Sequence, residues 1–450
     1  MAGSGIRSLR YLLQAGADHV LCNEGDTANS PCLEANLAAA AESRAAGAGS
    51  CADSWPTPGG GRQWRLRGAA GHGEAEALPL CELAHEDAIS LLARCRLEGR
   101  FFDLIDSDSF GHAAHFVGAS LDAVRYGGLV CLTSTSGTIA GGRDAASALA
   151  LYGVHLAPVP HANEQGLRML IGLAHREAMA RRLRVTPLWS LYSPHGPVFR
   201  TMLRVDRQRR QQQAGGATEG SLRYGYTLHW PGSGESGCCA FQELSGALQG
   251  ERGGAGPPLL SGPLWLGPLH DHAHLQLVQQ EAAARGWVQQ AGQDGGPEQG
   301  SSGGGGMDPV LPATRKGSIG SLRLLLELLL EEAAAEAEGQ GAAAAAQASA
   351  AAQAGQPAAR GLPPWFARTN DVGRAGQLAR PPPRDALLEE LRRRGFLACR
   401  THVDPSGIKT TASLAQMVAA ATEGLGIPSR AGSSSKAASG GAPPAAAPIR

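Results

Sequence analysis

The sequence predicts an α/β fold built around a parallel sheet. Three observations predict it. Short apolar runs recur, each followed closely by an acid: residues 19–22 by Glu24, 78–83 by Asp87, and 104–105 by Asp106 and Asp108. Stretches with helical apolar spacing separate these runs. A glycine turn, Gly3 and Gly5, opens the series, and Glu24 lies 21 residues beyond Gly3. Strands alternating with helices make a parallel sheet with right-handed crossovers. Ligands of such sheets bind outside the carboxyl ends of the strands.

Taken in order, the turn leads into a helix over 7–13, with Ile6, Leu9, Leu13 and Ala17 at helical spacing. The strand over 19–22 ends at Asn23 and Glu24. An acid at this distance from the turn meets a ribose in nucleotide-binding βαβ units. A dinucleotide fingerprint wants a third glycine where this chain has Ser8, which argues against NAD. A helix over 32–45 follows, and 47–73 reads as an inserted loop. Asp87 ends the strand over 78–83 and can also cap the helix over 88–96.

Residues 102–111 read Phe-Asp-Leu-Ile-Asp-Ser-Asp-Ser-Phe-Gly. Leu104 and Ile105 end a buried strand, and Asp106 and Asp108 sit where it leaves the sheet. An aspartate and an aromatic there can grip a planar base by its edge and its face. A plain βα turn with a capping Asp or Ser is the other reading. A helix over 113–126 and a strand over 128–135 complete the series. Residues 133–142, rich in Ser, Thr and Gly, read as a mobile active-site loop. A helix over 163–181 carries Glu164 and Arg168 as an i,i+4 pair, and strands over 185–191 and 198–205 follow.

The 450 residues, 43% of them hydrophobic, leave room for two or three domains. Net charge is +0 but unevenly spread: −6 over 1–110, +8 over 168–210 and +4 over 362–410. Two basic segments on a neutral chain suit a polyanion held on one side. Nine irregularly spaced cysteines make no disulfide framework and point to a reducing compartment. Cys238 and Cys239 are the one close pair. Neighbours cannot easily face one metal, so no metal is assigned. No run reaches the roughly 18 apolar residues of a membrane span. There is no signal segment, and the glycine turn has no strand before it. The expectation is that the native N-terminus and a first strand are missing.

The second half reads as modules and linkers. Residues 207–221 are a polar linker, and 261–271 a rigid, prolyl, Trp-anchored segment. Residues 289–306 are a Gly/Ser/Gln linker. A helix over 321–338 dissolves into low complexity up to 361. The helix, basic turn and helix over 381–425, with Arg400, His402 and Lys409 in the turn, resemble a winged-helix-like module that touches phosphates. The expected domains are 1–206, a linker or insertion over 207–255, and a C-terminal domain over 256–427. Low-complexity stretches at 289–320 and 339–361 interrupt the last, and a disordered tail fills 428–450.

Several of these segments together resemble one family, the tRNA (guanine-26-N2)-dimethyltransferases. The matching stretches run from Gly5-Ile6-Arg7-Ser8-Leu9-Arg10-Tyr11 through Asn23-Glu24, Glu86-Asp87-Ala88 and 102–111. Tyr152-Gly153, Asn163-Glu164 with Arg168, Phe199-Arg200, 261–271, Arg400-Thr401-His402 and Ile408-Lys409-Thr410 follow in the family's order. The resemblance implies a Rossmann-like, S-adenosylmethionine-dependent methyltransferase domain and a family-specific α+β C-terminal domain that helps hold tRNA. It implies that Arg7, Glu24, Asp87 and Ala88, with the turn of Gly3 and Gly5, bind the cofactor. Asp108, Ser109 and Phe110 are implied to carry catalysis. Arg400, His402 and Lys409 are basic residues placed to meet tRNA phosphates, with a packed core histidine the other reading of His402.

Departures keep a second reading open. The family's proline after the catalytic aspartate is Ser109 here, and its Cys-x-x-Cys pairs are not found. A tRNA-binding homologue with impaired catalysis is the alternative. Neither a membrane nor an obligate protein partner is implied. The wording Asp-Ser-Phe-Gly is most similar to a plant-type branch, which implies a plastid, with mitochondrion or nucleus also open.

Overall fold

The computed structural model describes residues 2–47, 51–57, 61–67, 80–194, 196–208, 223–249, 256–288, 321–350 and 361–430. The expected linker at 289–306 and the tail beyond 430 lie outside these residues, as does most of the linker at 207–221. The chain forms two compact units. The first comprises Met1–Thr135, Ala174–Thr186 and Met202–Arg209, and the second comprises Ser136–Leu173, Pro187–Thr201 and Arg210–Arg450. Residues 136–173, which the sequence reading kept within 1–206, thus cluster with the C-terminal part.

In the first unit, α1 (Ile6–Leu13) runs into β1 (Val20–Asn23), followed by α2 (Ser30–Gly47), β2 (Cys51–Pro56), β3 (Arg62–Arg67) and β4 (Cys81–Ala84). Next come α3 (Ala88–Leu97), β5 (Phe102–Asp108), α4 (Ala114–Ala123) and β6 (Val124–Ser134). β1 pairs with β4 in parallel, Val20 opposite Cys81, and β5 pairs with β6 in parallel, Asp108 opposite Thr133. The parallel pairing expected from the alternation is therefore present. It is divided between two four-stranded sheets, ordered β1-β4-β3-β2 and β5-β6-β8-β7, where β7 is Leu183–Ser193 and β8 is Val198–Arg207.

The inserted loop expected over 47–73 contains a hairpin instead. β2 and β3 pair antiparallel, and β3 joins the sheet with Trp64 opposite Cys81. The physical reason is period-two alternation. In Arg-Gln-Trp-Arg-Leu-Arg the apolar residues fall on alternate positions, and Trp64 is buried against Leu12, Leu33, Leu37 and Leu83. α4 is shorter than the expected helix over 113–126. The β-branched Val124 begins β6, and Gly127 at φ 83° takes a conformation no helix holds.

The second unit contains a sheet ordered β10-β9-β11, from β9 (Tyr224–Trp230), β10 (Glu235–Ala240) and β11 (Leu259–Trp265). It also contains a small antiparallel sheet ordered β12-β14-β13, from β12 (Ala367–Arg368), β13 (Ala398–Arg400) and β14 (Gly407–Thr410). α5 (Ala162–Ala180) contributes residues to both units. Further helices are α6 (His272–Ala284), α7 (Leu322–Ala350), α8 (Thr369–Ala375), α9 (Arg384–Arg393) and α10 (Leu414–Ala419). Val372, Leu387, Leu391, Ile408 and Met417 join α8, α9, β14 and α10 in one core. α7 packs Leu325, Leu329 and Ala333 against Leu275 of α6. Among the described residues no helix is long and apolar enough to cross a membrane.

Candidate active site

The site begins at the turn before α1. Gly5 sits at φ 78° as the residue preceding the helix, and a Cβ there would lie 2.9 Å from Leu33 Cδ2. Glycine is thus required both by backbone conformation and by packing. Gly3 N–H donates to Glu24 Oε2 at 2.8 Å, and Asp26 N–H donates to Oε1 at 3.0 Å. Burial works against the Glu24 charge, but hydrogen bonds, those from these two amides foremost, and a nearby positive charge outweigh it and bring the pKa down to about 2.

The ends of β1 and β4 are tied together beside Glu24. Asn23 Nδ2 donates to the Glu86 carbonyl at 3.0 Å and its Oδ1 accepts from Glu86 N–H at 3.1 Å. His85 bridges Glu24 O and Ser30 Oγ, each at 2.7 Å. Asp87 caps α3 through Ser90 N–H at 2.9 Å, and hydrogen bonds from Ser90 lower its pKa. Asp87 is exposed and Ala88 half-buried, so both border solvent at the carboxyl end of β4. The capping role foreseen for Asp87 is present, and an acceptor-only carboxylate keeps capacity beyond a cap.

Across from this cluster stand the two aspartates of β5. Arg7 Nη2 lies 2.8 Å from Asp108 Oδ2, and Nη1 lies 3.5 Å from Asp106 Oδ2. Tyr11 Oη donates to the same Asp106 oxygen at 2.7 Å. The glycine turn therefore meets the carboxyl end of β1 through Gly3, and the first turn of α1 meets that of β5 through Arg7. Gly3, Gly5, Arg7, Glu24 and Asp108, chosen from sequence, come together there. Arg7 here braces the two aspartates of β5.

Residues 109–111 are stitched to β6. Ser109 Oγ donates to the Thr133 carbonyl at 2.6 Å, and Gly111 N–H donates to Thr135 Oγ1 at 2.7 Å. Thr135 N–H and Ser134 Oγ both donate to the Gly111 carbonyl, at 2.9 and 2.8 Å. The start of the loop expected to be mobile is thus strand end and hydrogen-bonded clasp. Between the stitches Phe110 is 95% exposed. A rigid backbone presenting a bare aromatic face is what base stacking requires.

The three residues assigned to tRNA phosphates are placed otherwise. In the second unit, Lys409 is fully buried, with Nζ 3.0 Å from Glu164 Oε1 and 3.3 Å from Glu336 Oε1. Burial opposes its charge, but Glu164, Glu336 and Glu332 hold its pKa above the usual value. Arg168 grips Glu164 Oε1 through Nε and Nη2, and its Nη1 donates to the carbonyls of Trp265 and Gly267. His402 is buried against Glu332, and Arg400 pairs with Glu331. Lys409 and His402 therefore brace α7 against β13 and β14, and a phosphate cannot reach them. The charge of the basic turn is met by partners distant in sequence, Glu331, Glu332 and Glu336 of α7 some 70 residues away and Glu164 of α5.

His270, Glu332 and His402 bring three ligand atoms within 4.8 Å of one another. Their hydrogen bonds argue against a metal. Backbone N–H groups of Ser190 and Tyr192 donate to His270 Nδ1 and His402 Nε2, each at 3.3 Å. Lone pairs must face those amides, so the N–H of each ring faces Glu332. A cation there would need the opposite tautomers.

Sequence reasoning missed Tyr11, Asn23 and His85 as site residues. Tyr11 stands four residues after Arg7, on the same helix face, and that spacing was available as a signal. His85 joins segments no local pattern connects.

Residues 73–291 match the family described as N2,N2-dimethylguanosine tRNA methyltransferase. A tRNA (guanine(26)-N(2))-dimethyltransferase of Pyrobaculum neutrophilum is 31% identical over 190 residues, which are 42% of this chain and 47% of that protein. The enzyme of the same name from Thermococcus kodakarensis is 24% identical over 314 residues, 70% of this chain and 62% of that protein. The chain thus spans about half to three-fifths of the length of these relatives. The solved structure of Trm1 from Pyrococcus horikoshii with S-adenosyl-L-methionine shares the fold, with a TM-score of 0.61 at 20% identity. The match covers 93% of this chain and 86% of that one. The fold is thus Rossmann-like with an additional C-terminal domain.

Proposed function

We propose that this chain transfers methyl groups from S-adenosylmethionine to the exocyclic N2 of guanine-26 in tRNA, giving N2-methyl- and N2,N2-dimethylguanosine. The observation that carries the reading is the pairing of Asp108, at the open end of β5, with the bare ring of Phe110 two residues on. A planar base with donors on one edge fits between them. The match of residues 73–291 supports the reading.

The donor set beside α1 fits the cofactor. The ionised Glu24 carboxylate has acceptor capacity for ribose hydroxyls, Asp87 for the adenine amine, and the Arg7 guanidinium can meet a carboxylate. When bound, the sulfonium supplies an electrophilic methyl with a neutral leaving group. The guanine amine is a poor nucleophile, so the protein's task is placement and proton management. Phe110 stacks on the extruded base. Asp108 accepts from N1–H or N2–H and disperses the positive charge that grows on N2 as the new bond forms. The Ser109 carbonyl can accept the other N2 proton. Ser109 replaces a proline's rigidity with its hydroxyl bond to Thr133, which favours the active enzyme over an impaired homologue.

The phosphate contacts then fall to arginines that remain exposed in the second unit, such as Arg374 and Arg393, 80% and 70% exposed. The resemblance of Asp-Ser-Phe-Gly to a plant-type branch supports a plastid compartment over mitochondrion or nucleus, and a fluorescent fusion distinguishes the three. The test of activity is nucleoside mass spectrometry of an unmodified tRNA transcript incubated with protein and S-adenosylmethionine. Methylated guanosine should form, and should vanish when guanine-26 is changed to adenine. Absence of product with the wild-type transcript overturns the reading.

A further inference from the structure

Arg7 and Tyr11 lie one turn apart on α1, and Asp106 and Asp108 lie two residues apart on one face of β5. The four side chains interleave as a ladder. The deep rung is Tyr11 with Asp106, whose side chain is 8% exposed. The outer rung is Arg7 with Asp108, 39% and 37% exposed. The geometry holds a puzzle. Asp106 is the more buried carboxylate, and an ion pair gains strength where water is excluded. A guanidinium between two carboxylates gains more Coulomb energy from the deeper one wherever a bond to it offsets the desolvation. Instead Nη2 bonds Asp108 at 2.8 Å, and Nη1, buried and without a hydrogen bond, stays 3.5 Å from Asp106.

Tyr11 resolves it. Its hydroxyl occupies the Asp106 oxygen nearest Arg7, at 2.7 Å. We propose that Tyr11 is a positioning residue for methyl transfer: by occupying Asp106 Oδ2 it keeps the Arg7 guanidinium on Asp108, and so fixes the carboxylate that faces the guanine. This rests on the functional reading above. The hydroxyl acts through Asp106 and Arg7. With Tyr11 replaced by Phe, the guanidinium slides inward to Asp106 and Asp108 loses its Arg7 contact.

The test uses Tyr11→Phe, which keeps the ring packed against its apolar neighbours. A crystal structure of the variant should show an Arg7 nitrogen in hydrogen-bond contact with Asp106 and withdrawn from Asp108. Loss of a hydrogen bond in a charged network is worth about one to two decades, so kcat should fall about tenfold or more. The KM values for tRNA transcript and cofactor should stay within about twofold, since an interaction made in the transition state is lost rather than uniform binding. Asp106→Asn removes the inward pull, so adding Tyr11→Phe to it should cost nothing further. Arg7 remaining on Asp108 in Tyr11→Phe overturns the proposal, as does a rise in KM with kcat unchanged, or additivity of the two substitutions. If the wild-type chain methylates no transcript, the functional reading falls, and the position of Arg7 in Tyr11→Phe still decides this inference.

Discussion

The hydroxyl of Ser109 donates to the backbone carbonyl of Thr133 across 2.6 Å, joining the residue after Asp108 to the neighbouring strand. Ser109 is 3% exposed, so the bond is made away from water. Ser109→Ala should lower the melting temperature by an amount equivalent to about 1–2 kcal/mol. It should also reduce kcat, because the loop that presents Phe110 loses one stitch. Calorimetry and initial rates check the two effects. A normal melt with normal kcat would remove Ser109 from the site's scaffold.

Phe110 and Asp108 should separate binding from chemistry. Phe110 contributes little to the fold at 95% exposure, so Phe110→Ala should leave the melting temperature unchanged. It should weaken productive tRNA engagement by about 1–3 kcal/mol, the range of a lost base stack. Asp108→Ala should abolish methyl transfer and leave tRNA affinity within about threefold, because the carboxylate acts on the amine and not on phosphates. Single-turnover rates beside filter binding make the comparison. Near wild-type turnover by Asp108→Ala would end its proposed role.

Much of the first unit was legible because its signals are local. Strand ends carry acids, glycines with positive φ mark turns, and helical spacing survives in the primary sequence, so β1, β5 and α2 fell within a few residues of expectation. The β2–β3 hairpin was missed because its Gly-rich surroundings hid the alternation around Trp64. Lys409 and His402 were misplaced for a different reason. A basic residue in a turn looks the same whether water or a distant glutamate faces it, and Glu332 and Glu336 sit in a helix whose acids resemble a solvated face. The division of the parallel strands between two sheets is likewise set by pairing, which periodicity does not encode.

Glu24 gives a pH prediction. Its pKa of about 2 lies below the ordinary 4.5, so folding favours the ionised form. The stability this provides is complete above pH 4.5 and is lost as pH falls toward 2. Glu24→Gln should flatten the acid limb of the stability curve in that window. At neutral pH it should weaken S-adenosylmethionine binding by about one to two decades. Urea unfolding at several pH values and titration calorimetry measure the two. An unchanged acid limb would mean that the Gly3 and Asp26 amides do not hold the carboxylate in solution.

Lys409 provides the sharpest contrast between the two roles a basic residue can play. Its ammonium has no exposed surface and lies between Glu164 and Glu336. Removing one member of a buried ionic network strands the others, at a cost of about 3–5 kcal/mol. Lys409→Met should therefore lower the melting temperature steeply, although the side-chain volume is nearly kept. The salt dependence of tRNA affinity should not change, measured where the variant is still folded, because no counterion-releasing phosphate contact is lost. A residue that met phosphate would behave oppositely, with a normal melt and a slope shallower by about one unit. Arg393→Ala, at 70% exposure, is the matched comparison and should follow the second pattern. A normal melt for Lys409→Met with a reduced salt slope would return this lysine to the tRNA surface.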